Sequence, residues 1–372
     1  MKCVTVSNYF PDHLGGLEIV VGELTTRIAN DRMTVDWFAC APAPFQASSP
    51  SPLRYHGLKA WNGIEAKTGL PMPIWYLGGF LRLARTIRKA DVIFINDCLY
   101  ISSWVAWIIA RICRKKIVLL QHIDEIPYPS RVLTALMRMS YSVGAHVILR
   151  GSDRVVFCSR KVERYFLTRF LFLRNTLHIS NGVDAKLFCP DERTAVAPRP
   201  RILFAGRFVE RKGLEIVRQL ATNLPGCDWI MAGWGVIDPG NWGLKNVHVV
   251  GRRDRQSMAE LYRDCDLLVL PSVGEGFPLV VQEAISCGLP VLVSSETAGG
   301  DPAAANFIMV ADLSVPAFEK SVRAFVQRRH QELDPLLRRR RHEFAVAHWS
   351  WERAAQQYQD LFAEITSPGA QR

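Results

Sequence analysis

The chain lacks the features that mark disulfide-stabilised, zinc-binding and membrane-spanning proteins. Its nine cysteines are odd in number and scattered, with no C-x-x-C pair and no cysteine–histidine cluster at zinc spacing. Free thiols in a reducing compartment are therefore expected. Apolar stretches such as residues 103–110 are far shorter than the roughly 20 residues that a membrane-spanning helix needs. Residues 1–6 run directly into a strand pattern, so no signal peptide is expected and the predicted location is cytoplasmic.

Composition indicates a globular chain with an uneven distribution of charge. At 372 residues, with 49% hydrophobic and 22% charged residues, the chain suits two domains with separate cores. Residues 1–190 contain 24 Lys and Arg against 13 Asp and Glu, whereas residues 191–372 contain 22 of each. Within residues 50–175, 20 basic and 7 acidic side chains are interleaved with large apolar ones. This pattern favours an anionic membrane surface as a partner, although core helices with solvated arginine faces would look the same.

Strand-like apolar runs alternate with helical patterns along the whole chain, which predicts parallel α/β domains. A long Pro/Ser-rich connection is predicted at 41–58, and a turn with a polar linker at 181–200. The predicted strands of the first half lie near residues 2–7, 34–39, 92–96, 117–121, 154–158 and 177–180. Those of the second half lie at 201–205, 229–232, 247–250, 267–270 and 290–294.

The most informative segment is residues 274–283, which read Gly-Glu-Gly-Phe-Pro-Leu-Val-Val-Gln-Glu. It carries two carboxylates, Glu275 and Glu283, between the predicted strand 267–270 and the helix-stop signal at Gly288. Glu275 is therefore predicted on a strand-to-helix loop and Glu283 about two turns into the helix. Loops at the carboxyl ends of parallel strands form ligand crevices, and a helix N-terminus there binds anions.

Three pieces of this region together resemble the signature of retaining family-4 glycosyltransferases. They are Pro-Ser-x-x-Glu-Gly-Phe-Pro at 271–278, Glu-Ala at 283–284 and Cys-Gly-Leu-Pro-Val at 287–291. The resemblance implies the α/β GT-B fold, in which two Rossmann-like domains face a cleft and a C-terminal helix crosses back to the first domain. The expected divisions are an acceptor-binding domain at 1–185, a nucleotide-sugar-binding domain at 200–345, and a crossover helix at 346–372 that packs on the N-terminal domain.

The resemblance also assigns roles to residues near the nucleotide sugar. Arg207 and Lys212, between a strand end and the helix after Gly213, would bind the donor diphosphate, with Arg211 as an intervening surface candidate. Glu275 would orient the donor sugar, and Glu283 would bind the ribose. Further residues that would approach the diphosphate through loops are Gly16, Gly276, Phe277, Pro278 and Leu279. The predicted nucleobase edge consists of Gly251 and Arg252.

In the first half, the resemblance places a histidine at a strand end near the transferred sugar. His122 holds that position and is assigned a catalytic role with Glu275, as a hydrogen-bond donor to a sugar hydroxyl or as part of the acceptor pocket. Asp124 and Glu125 are weaker candidates for contacting the acceptor. His13, in the loop of Gly16, has no matching position. The family's Gly-His pair before the second strand is replaced by Asn-Asp-Arg-Met at 30–33, which is a structural departure.

No metal site or cofactor is expected. Asp264-Cys265-Asp266 matches the D-x-D pattern of metal-dependent glycosyltransferases, but it lies at the amino end of the predicted strand 267–270. That is the wrong edge of a parallel sheet for a substrate site. The co-substrate implied by the resemblance is a UDP- or GDP-linked sugar.

The expected function is a retaining, metal-independent hexosyltransferase that forms an α-glycosidic bond on a lipid-linked or other anionic saccharide. Bacterial exopolysaccharide or lipopolysaccharide assembly on the inner face of the cytoplasmic membrane would supply such an acceptor. A transferase for a soluble small-molecule acceptor, a sugar-nucleotide epimerase of the same fold and a non-catalytic membrane-associated scaffold remain as alternatives. Nucleic acid is not an expected partner, because no RNA- or DNA-binding motif accompanies the basic half.

Overall fold

A computed structural model describes residues 1–13, 15–41, 52–63, 73–124, 144–191 and 197–367. The chain divides into two compact units. Unit 1 consists of Met1–Asn181 with Trp351–Arg372, and unit 2 of Gly182–Ser350. No helix in the described ranges has both the length and the apolar character that a membrane span requires.

Unit 1 is built on a seven-stranded sheet in which all neighbours are parallel, in the order β3-β2-β1-β6-β7-β8-β9. A separate antiparallel pair joins β4 (Ala60–Trp61) to β5 (Ile74–Trp75). The sheet strands are β1 (Lys2–Tyr9), β2 (Thr34–Cys40), β3 (Leu53–Leu58), β6 (Val92–Asn96), β7 (Lys116–Gln121), β8 (Arg154–Phe157) and β9 (Thr176–His178). The helices described in this unit are α1 (Gly16–Ile28), α2 (Leu77–Ile87), α3 (Ile101–Ile112), α4 (His146–Arg150), α5 (Arg160–Arg169) and, at the end of the chain, α12 (Trp351–Thr366).

Unit 2 repeats this plan with a six-stranded parallel sheet in the order β12-β11-β10-β13-β14-β15. Its strands are β10 (Arg201–Ala205), β11 (Asp228–Ala232), β12 (Val247–Gly251), β13 (Leu267–Leu270), β14 (Val291–Ser294) and β15 (Ile308–Ala311). Its helices are α6 (Leu214–Asn223), α7 (Arg255–Asp264), α8 (Leu279–Ser286), α9 (Ser295–Ala298), α10 (Val315–Glu332) and α11 (Pro335–His348). The order of strands turns back beside β10, so the loops after β10 and β13 are neighbours at a position where open sheets bind ligands.

The C-terminal helix α12 belongs to unit 1 although unit 2 precedes it in the chain. It packs on α1, where Gln359 Nε2 donates hydrogen bonds to the carbonyl oxygens of Arg27 and Ile28. Its Tyr358 and Phe362 rings contact Phe94 of β6, with centroid distances of 5.1 and 5.5 Å. Two parallel-sheet units and this returning helix confirm the predicted α/β fold class.

Four strands were not predicted from the sequence: β3, the two-residue strands β4 and β5, and β15. β3 lies inside the connection predicted at 41–58 and pairs in parallel with β2. It is an edge strand in which Leu53 and Leu58 are buried and the residues between them are partly or fully exposed, so its apolar signal is weak. β15 is a four-residue edge strand whose two central residues are partly or fully exposed.

Candidate functional site

The loops after β10 and β13 are held together by backbone contacts. Gly213 has a φ of 72°, and a Cβ atom there would lie 2.1 Å from the carbonyl oxygen of Pro271. Only glycine therefore fits between the Lys212 loop and the end of β13. The backbone N–H of Val273 donates to the carbonyl oxygen of Arg211 at 2.9 Å. These contacts fix the loop of Lys212 against the loop of Glu275.

A carboxylate and two cations meet across these loops. Lys212 Nζ lies 2.7 Å from Glu275 Oε1, and an Arg211 guanidinium nitrogen lies 3.5 Å from the same oxygen. The side chain of Lys212 is 10% exposed and that of Glu275 14% exposed, so this pair is shielded from water on most sides. Arg207 is exposed at the start of the same loop. The structure thus brings Arg207, Lys212 and Glu275 to one sheet edge, and it adds Arg211 to the group.

The Glu275 loop is also anchored on its far side by residues that the sequence analysis did not single out. Gly274, with a φ of 70°, donates its backbone N–H to Glu296 Oε1 at 2.9 Å. A Cβ atom on Gly300 would lie 2.3 Å from the carbonyl oxygen of Gly276. Phe277 is buried with its ring 5.6 Å from that of Trp349. Glu296 and Gly300 therefore support this loop, and the Phe277 side chain anchors it in the core.

Helix α8 begins at Leu279 after Pro278, which offers no side-chain hydrogen bond to the first turn. The helix ends as the sequence predicts: Gly288 adopts a φ of 77° just after the C-cap. Glu283, on this helix, accepts a hydrogen bond of 2.8 Å from the hydroxyl of Tyr262. Tyr262 is fully buried, and burial together with the nearby carboxylate holds the pKa of its phenol well above the ordinary value. Tyr262 therefore acts as a fixed donor that orients Glu283.

The residues predicted at the nucleobase edge, Gly251 and Arg252, lie at the carboxyl end of β12, which pairs with β11. Gly251 has a φ of 72°, and the guanidinium carbon of Arg252 lies 4.8 Å above the ring of Trp234. Trp234 was missed in the sequence, although the pattern Gly-Trp-Gly directly after a buried strand was a visible signal.

In unit 1, α1 begins at Gly16 after Gly15, without a side-chain hydrogen bond at the cap. Gly16 is exposed and has open space around it. The carboxylate of Glu18 lies so close to Gly15 that a Cβ atom there would be 2.0 Å from it. The negative charge of Glu18 near this helix N-terminus would repel a phosphate bound there. Glu18 therefore bears on the predicted role of Gly16.

His122 follows β7 and is buried, with Nε2 3.5 Å from Asn96 Oδ1. Burial lowers the pKa of its imidazole to about 3, so the ring is neutral near pH 7. A neutral ring can donate or accept a hydrogen bond but does not act there as a cationic acid. The predicted role as a hydrogen-bonding group is compatible with this state.

Asp97, at the end of β6, is a buried acid beside His122 that the sequence analysis missed. It has a φ of 67°, a left-handed conformation that non-glycine residues rarely adopt. Its carboxylate accepts hydrogen bonds from the Leu99 N–H at 3.1 Å and from Gln121 Nε2 at 3.0 Å. Burial raises the pKa of this carboxyl to about 7. Asp97 therefore ties the end of β6 to Gln121 at the end of β7, next to His122.

The weaker candidates fall in separate places. Asp124 is buried and forms an ion pair of 3.1 Å with Lys161. Glu125 lies outside the described residues, and the side chain of His13 does as well. In the D-x-D match, Asp266 accepts a hydrogen bond of 2.8 Å from the N–H of Arg201 and lies 3.6 Å from Arg329. Asp266 lies at the amino end of β13, as predicted, and its hydrogen bond joins that end to the amino end of β10.

The two sheets with their terminal helix define the class: this is a GT-B-fold protein. Sucrose-phosphate synthase from Thermosynechococcus elongatus matches 98% of this chain over 99% of its own, with a TM-score of 0.79 and 20% identity. The family profile described as Glycosyltransferase Family 4 matches residues 14–187, and that described as Glycosyl transferases group 1 matches residues 199–328. The chain therefore belongs to the group 1, family 4-like glycosyltransferases.

Two glycosyltransferases are similar to this chain at low sequence identity but over most of its length. A GDP-mannose-dependent alpha-(1-6)-phosphatidylinositol dimannoside mannosyltransferase of Mycobacterium tuberculosis is 25% identical over 95% of this chain and 94% of its own. D-inositol 3-phosphate glycosyltransferase of Mycolicibacterium smegmatis is 22% identical over 78% of this chain and 73% of its own. The chain is thus similar to glycosyltransferases along most of its length.

Proposed function

We propose that the protein transfers a hexose from a UDP- or GDP-linked sugar to a lipid-linked or other anionic saccharide and forms an α-glycosidic bond with retention. The observation that carries this proposal is the shielded contact between Lys212 and Glu275, 2.7 Å long, beside the start of α8. The GDP-mannose-dependent mannosyltransferase to which 95% of the chain is similar supports a nucleotide-sugar donor and an α-linkage. Bacterial exopolysaccharide or lipopolysaccharide assembly is the proposed setting.

In the proposed reaction, the bond between the anomeric carbon and the donor phosphate breaks while the acceptor oxygen bonds to that carbon on the same face. The departing phosphate takes the acceptor's proton, so no separate side-chain base is required. Arg207 and Lys212 would stabilise the negative charge that grows on the diphosphate. Glu275 would hold Lys212 in place and orient the sugar, and Glu283 would hold the ribose through an orientation set by Tyr262. His122, neutral at pH 7, would hydrogen-bond to a sugar hydroxyl or shape the acceptor pocket.

The first test is release of nucleotide from a panel of UDP- and GDP-sugars by the purified protein. We expect slow release with at least one donor, and the same rate in excess EDTA, because fixed cations replace a metal at the diphosphate. Asp264→Asn should retain this rate, since Asp264 is exposed at the amino edge of the sheet. Absence of release and of binding with every donor would contradict the proposed donor class. Loss of activity in EDTA with recovery in Mn²⁺ would contradict metal independence.

A surface of unit 1 supports the proposed lipid-linked acceptor. Helices α2 and α3 pack on each other and expose large apolar side chains. These are Leu77 and Leu81 on α2 and Ile108 and Ile112 on α3, which are 73%, 53%, 45% and 76% exposed. Exposed basic side chains adjoin them in the sequence: Arg82, Arg85, Arg111 and Arg114. Apolar side chains flanked by cations fit the interface of an anionic bilayer. We name these eight residues the basic-apolar surface.

We therefore expect the protein to sediment with anionic vesicles at low salt and much less with neutral ones. Reversal of three exposed cations of the basic-apolar surface, Arg85, Arg111 and Arg114, to glutamate should abolish most of this binding, because each well-placed cation contributes roughly 1 kcal/mol near an anionic surface. Lys116 is a poorer probe, since its ammonium lies 3.4 Å from Asp153. High salt should also weaken binding, as the Debye length falls from about 10 Å at 0.1 M to about 3 Å at 1 M.

The matched control reverses three exposed cations of unit 2, Arg328, Arg339 and Arg340, which changes the net charge equally. This control should sediment like the wild type. Equal binding to neutral and anionic vesicles, or none to either, would contradict electrostatic docking. It would favour the second candidate, a soluble anionic acceptor, which the similarity to D-inositol 3-phosphate glycosyltransferase supports.

A further inference from the structure

Arg211 is a cation beside Glu275 to which the proposed reaction gives no role. Its Nη1 atom lies 3.5 Å from Glu275 Oε1, the same oxygen that Lys212 Nζ contacts at 2.7 Å. The Arg211 side chain is 31% exposed, so it is largely covered by protein. A single ammonium at 2.7 Å already balances the charge of one carboxylate, and the second cation at the same oxygen therefore needs a reason.

The backbone of Arg211 is fixed against the Glu275 loop. Its carbonyl oxygen accepts the N–H of Val273 at 2.9 Å. Arg211 lies in the short 3-10 turn Glu210–Lys212, and Gly213, which follows this turn, contacts the end of β13 so closely that no Cβ atom would fit. Because the backbone is held on both sides, only the side chain of Arg211 must be ordered to keep its guanidinium within reach of Glu275.

The need for a second cation arises when a donor binds. A diphosphate carries several negative charges, and it attracts the Lys212 ammonium that Glu275 also contacts. Glu275 would then share its closer cation with a stronger anion of the same sign as itself. Its side chain is 14% exposed, so water screens this repulsion only in part. A shielded carboxylate that loses its compensating charge is costly, and Arg211 is placed to prevent that loss.

We propose that Arg211 is a positioning residue for sugar transfer, which holds Glu275 in place when Lys212 engages the donor diphosphate. This inference rests on the proposed function, in which Glu275 orients the donor sugar. The charges of Arg211 and Glu275 cancel, which leaves those of Arg207 and Lys212 for the diphosphate. Without Arg211, Glu275 cancels one of these two charges. Arg211 thus acts through Glu275 and needs no contact of its own with the substrate.

The test combines steady-state kinetics, using the donor identified by nucleotide release, with calorimetric binding of the matching nucleoside diphosphate. Arg211→Gln should lower kcat about tenfold, a size typical of coupling between neighbouring charged residues, while nucleoside diphosphate affinity stays within about threefold. Arg211→Met, a second neutral variant, should give the same loss. Arg211→Lys should recover most of kcat, because one nitrogen makes the contact and an ammonium can replace it. The matched control is Arg218→Gln, which removes an exposed cation paired with Glu215 and should behave like the wild type.

The double substitution with Glu275→Gln separates positioning from direct contact. If Arg211 acts through Glu275, Arg211→Gln should change kcat by less than about twofold in the Glu275→Gln background. The same tenfold factor in both backgrounds would overturn the proposal, because Arg211 would then act independently of Glu275. A loss of nucleoside diphosphate affinity as large as that of Lys212→Ala would also overturn it, since Arg211 would then bind the diphosphate itself.

The remaining outcomes distinguish this inference from the proposed function. Unchanged kcat in Arg211→Gln and Arg211→Met, with an active wild type, would overturn the role of Arg211 and leave the proposed function standing. Equal losses in folded Arg211→Lys and Arg211→Gln would contradict a role for the charge. Wild-type protein that binds no nucleoside diphosphate and transfers no sugar would overturn the proposed function together with the role of Arg211.

Discussion

Replacement of Lys212 by alanine should lower the rate of sugar transfer by about a hundredfold or more, as loss of one preorganised charge stabiliser commonly does. The side chain of Lys212 is 10% exposed, and its ammonium lies 2.7 Å from Glu275 Oε1. This cation is therefore already in place and would not need to reorganise when charge develops on the diphosphate. Arg207→Ala should have a loss of similar order, since both cations are proposed to contact the same diphosphate. The measurement is kcat/KM for the donor identified in the nucleotide-release assay.

The two substitutions should differ in their effect on folding. From the sequence, Arg207 and Lys212 both lie on a loop, which predicts that neither substitution affects stability. The structure supports this for Arg207, which is exposed, but not for Lys212, whose loss removes the closer cation from a shielded carboxylate. Lys212→Ala should therefore lower the free energy of unfolding by on the order of 1–3 kcal/mol. This loss should appear as a lower unfolding temperature. The control is Arg218→Ala, an exposed cation on α6 paired with Glu215, which should change neither rate nor stability. Near-normal transfer by folded Lys212→Ala or Arg207→Ala would refute the assignment to the diphosphate.

The sequence predicted the edge of the sheet at which the candidate residues lie, because β10 and β13 are short apolar runs buried on both faces. Such runs have a strong signal, and the loop after each of them must lie at the carboxyl edge. Gly288 was predicted correctly as the helix stop, and it has the positive φ that glycine adopts at least cost. Edge strands such as β3 were not predicted, because many of their residues are exposed to solvent and carry no apolar pattern.

The sequence pattern did not predict contacts between residues that are distant in the chain. Tyr262 and Glu283 are 21 positions apart, and the hydrogen bond between them depends on how α7 and α8 pack. Glu296 reaches Gly274 from the short helix after β14, and nothing in its own sequence neighbourhood marks it as a support for the Glu275 loop. Asp97 is similar: its positive φ and its burial follow from the packing of β6 against β7 and not from the residues that flank it. The motif indicated the edge of the sheet at which the candidate residues lie, whereas the contacts that orient those residues depend on tertiary structure.

The two glutamates of the motif should fail in different ways when each is changed to glutamine. Glu275→Gln should lower kcat by about a hundredfold, because it weakens the hold on Lys212 and the support for the donor sugar while charge develops. Glu283→Gln should mainly raise the donor KM, since a ribose contact is made both before and during the reaction. Steady-state kinetics with varied donor and saturating acceptor distinguish the two.

Tyr262→Phe provides a second test of the role proposed for Glu283. It removes the hydroxyl that donates to Glu283 at 2.8 Å and keeps the buried ring, so its effect should follow that of Glu283→Gln, with a raised donor KM and little change in kcat. Calorimetric binding of the nucleoside diphosphate should weaken in Tyr262→Phe and Glu283→Gln alike, because the ribose is part of that ligand. Glu275→Gln should lose less of this binding than Glu283→Gln, because the sugar that Glu275 is proposed to orient is absent from this ligand and the Lys212 cation itself remains. Identical losses in the two glutamine variants, or a kcat effect confined to Glu283→Gln, would contradict the assignment and require the roles of Glu275 and Glu283 to be exchanged or merged.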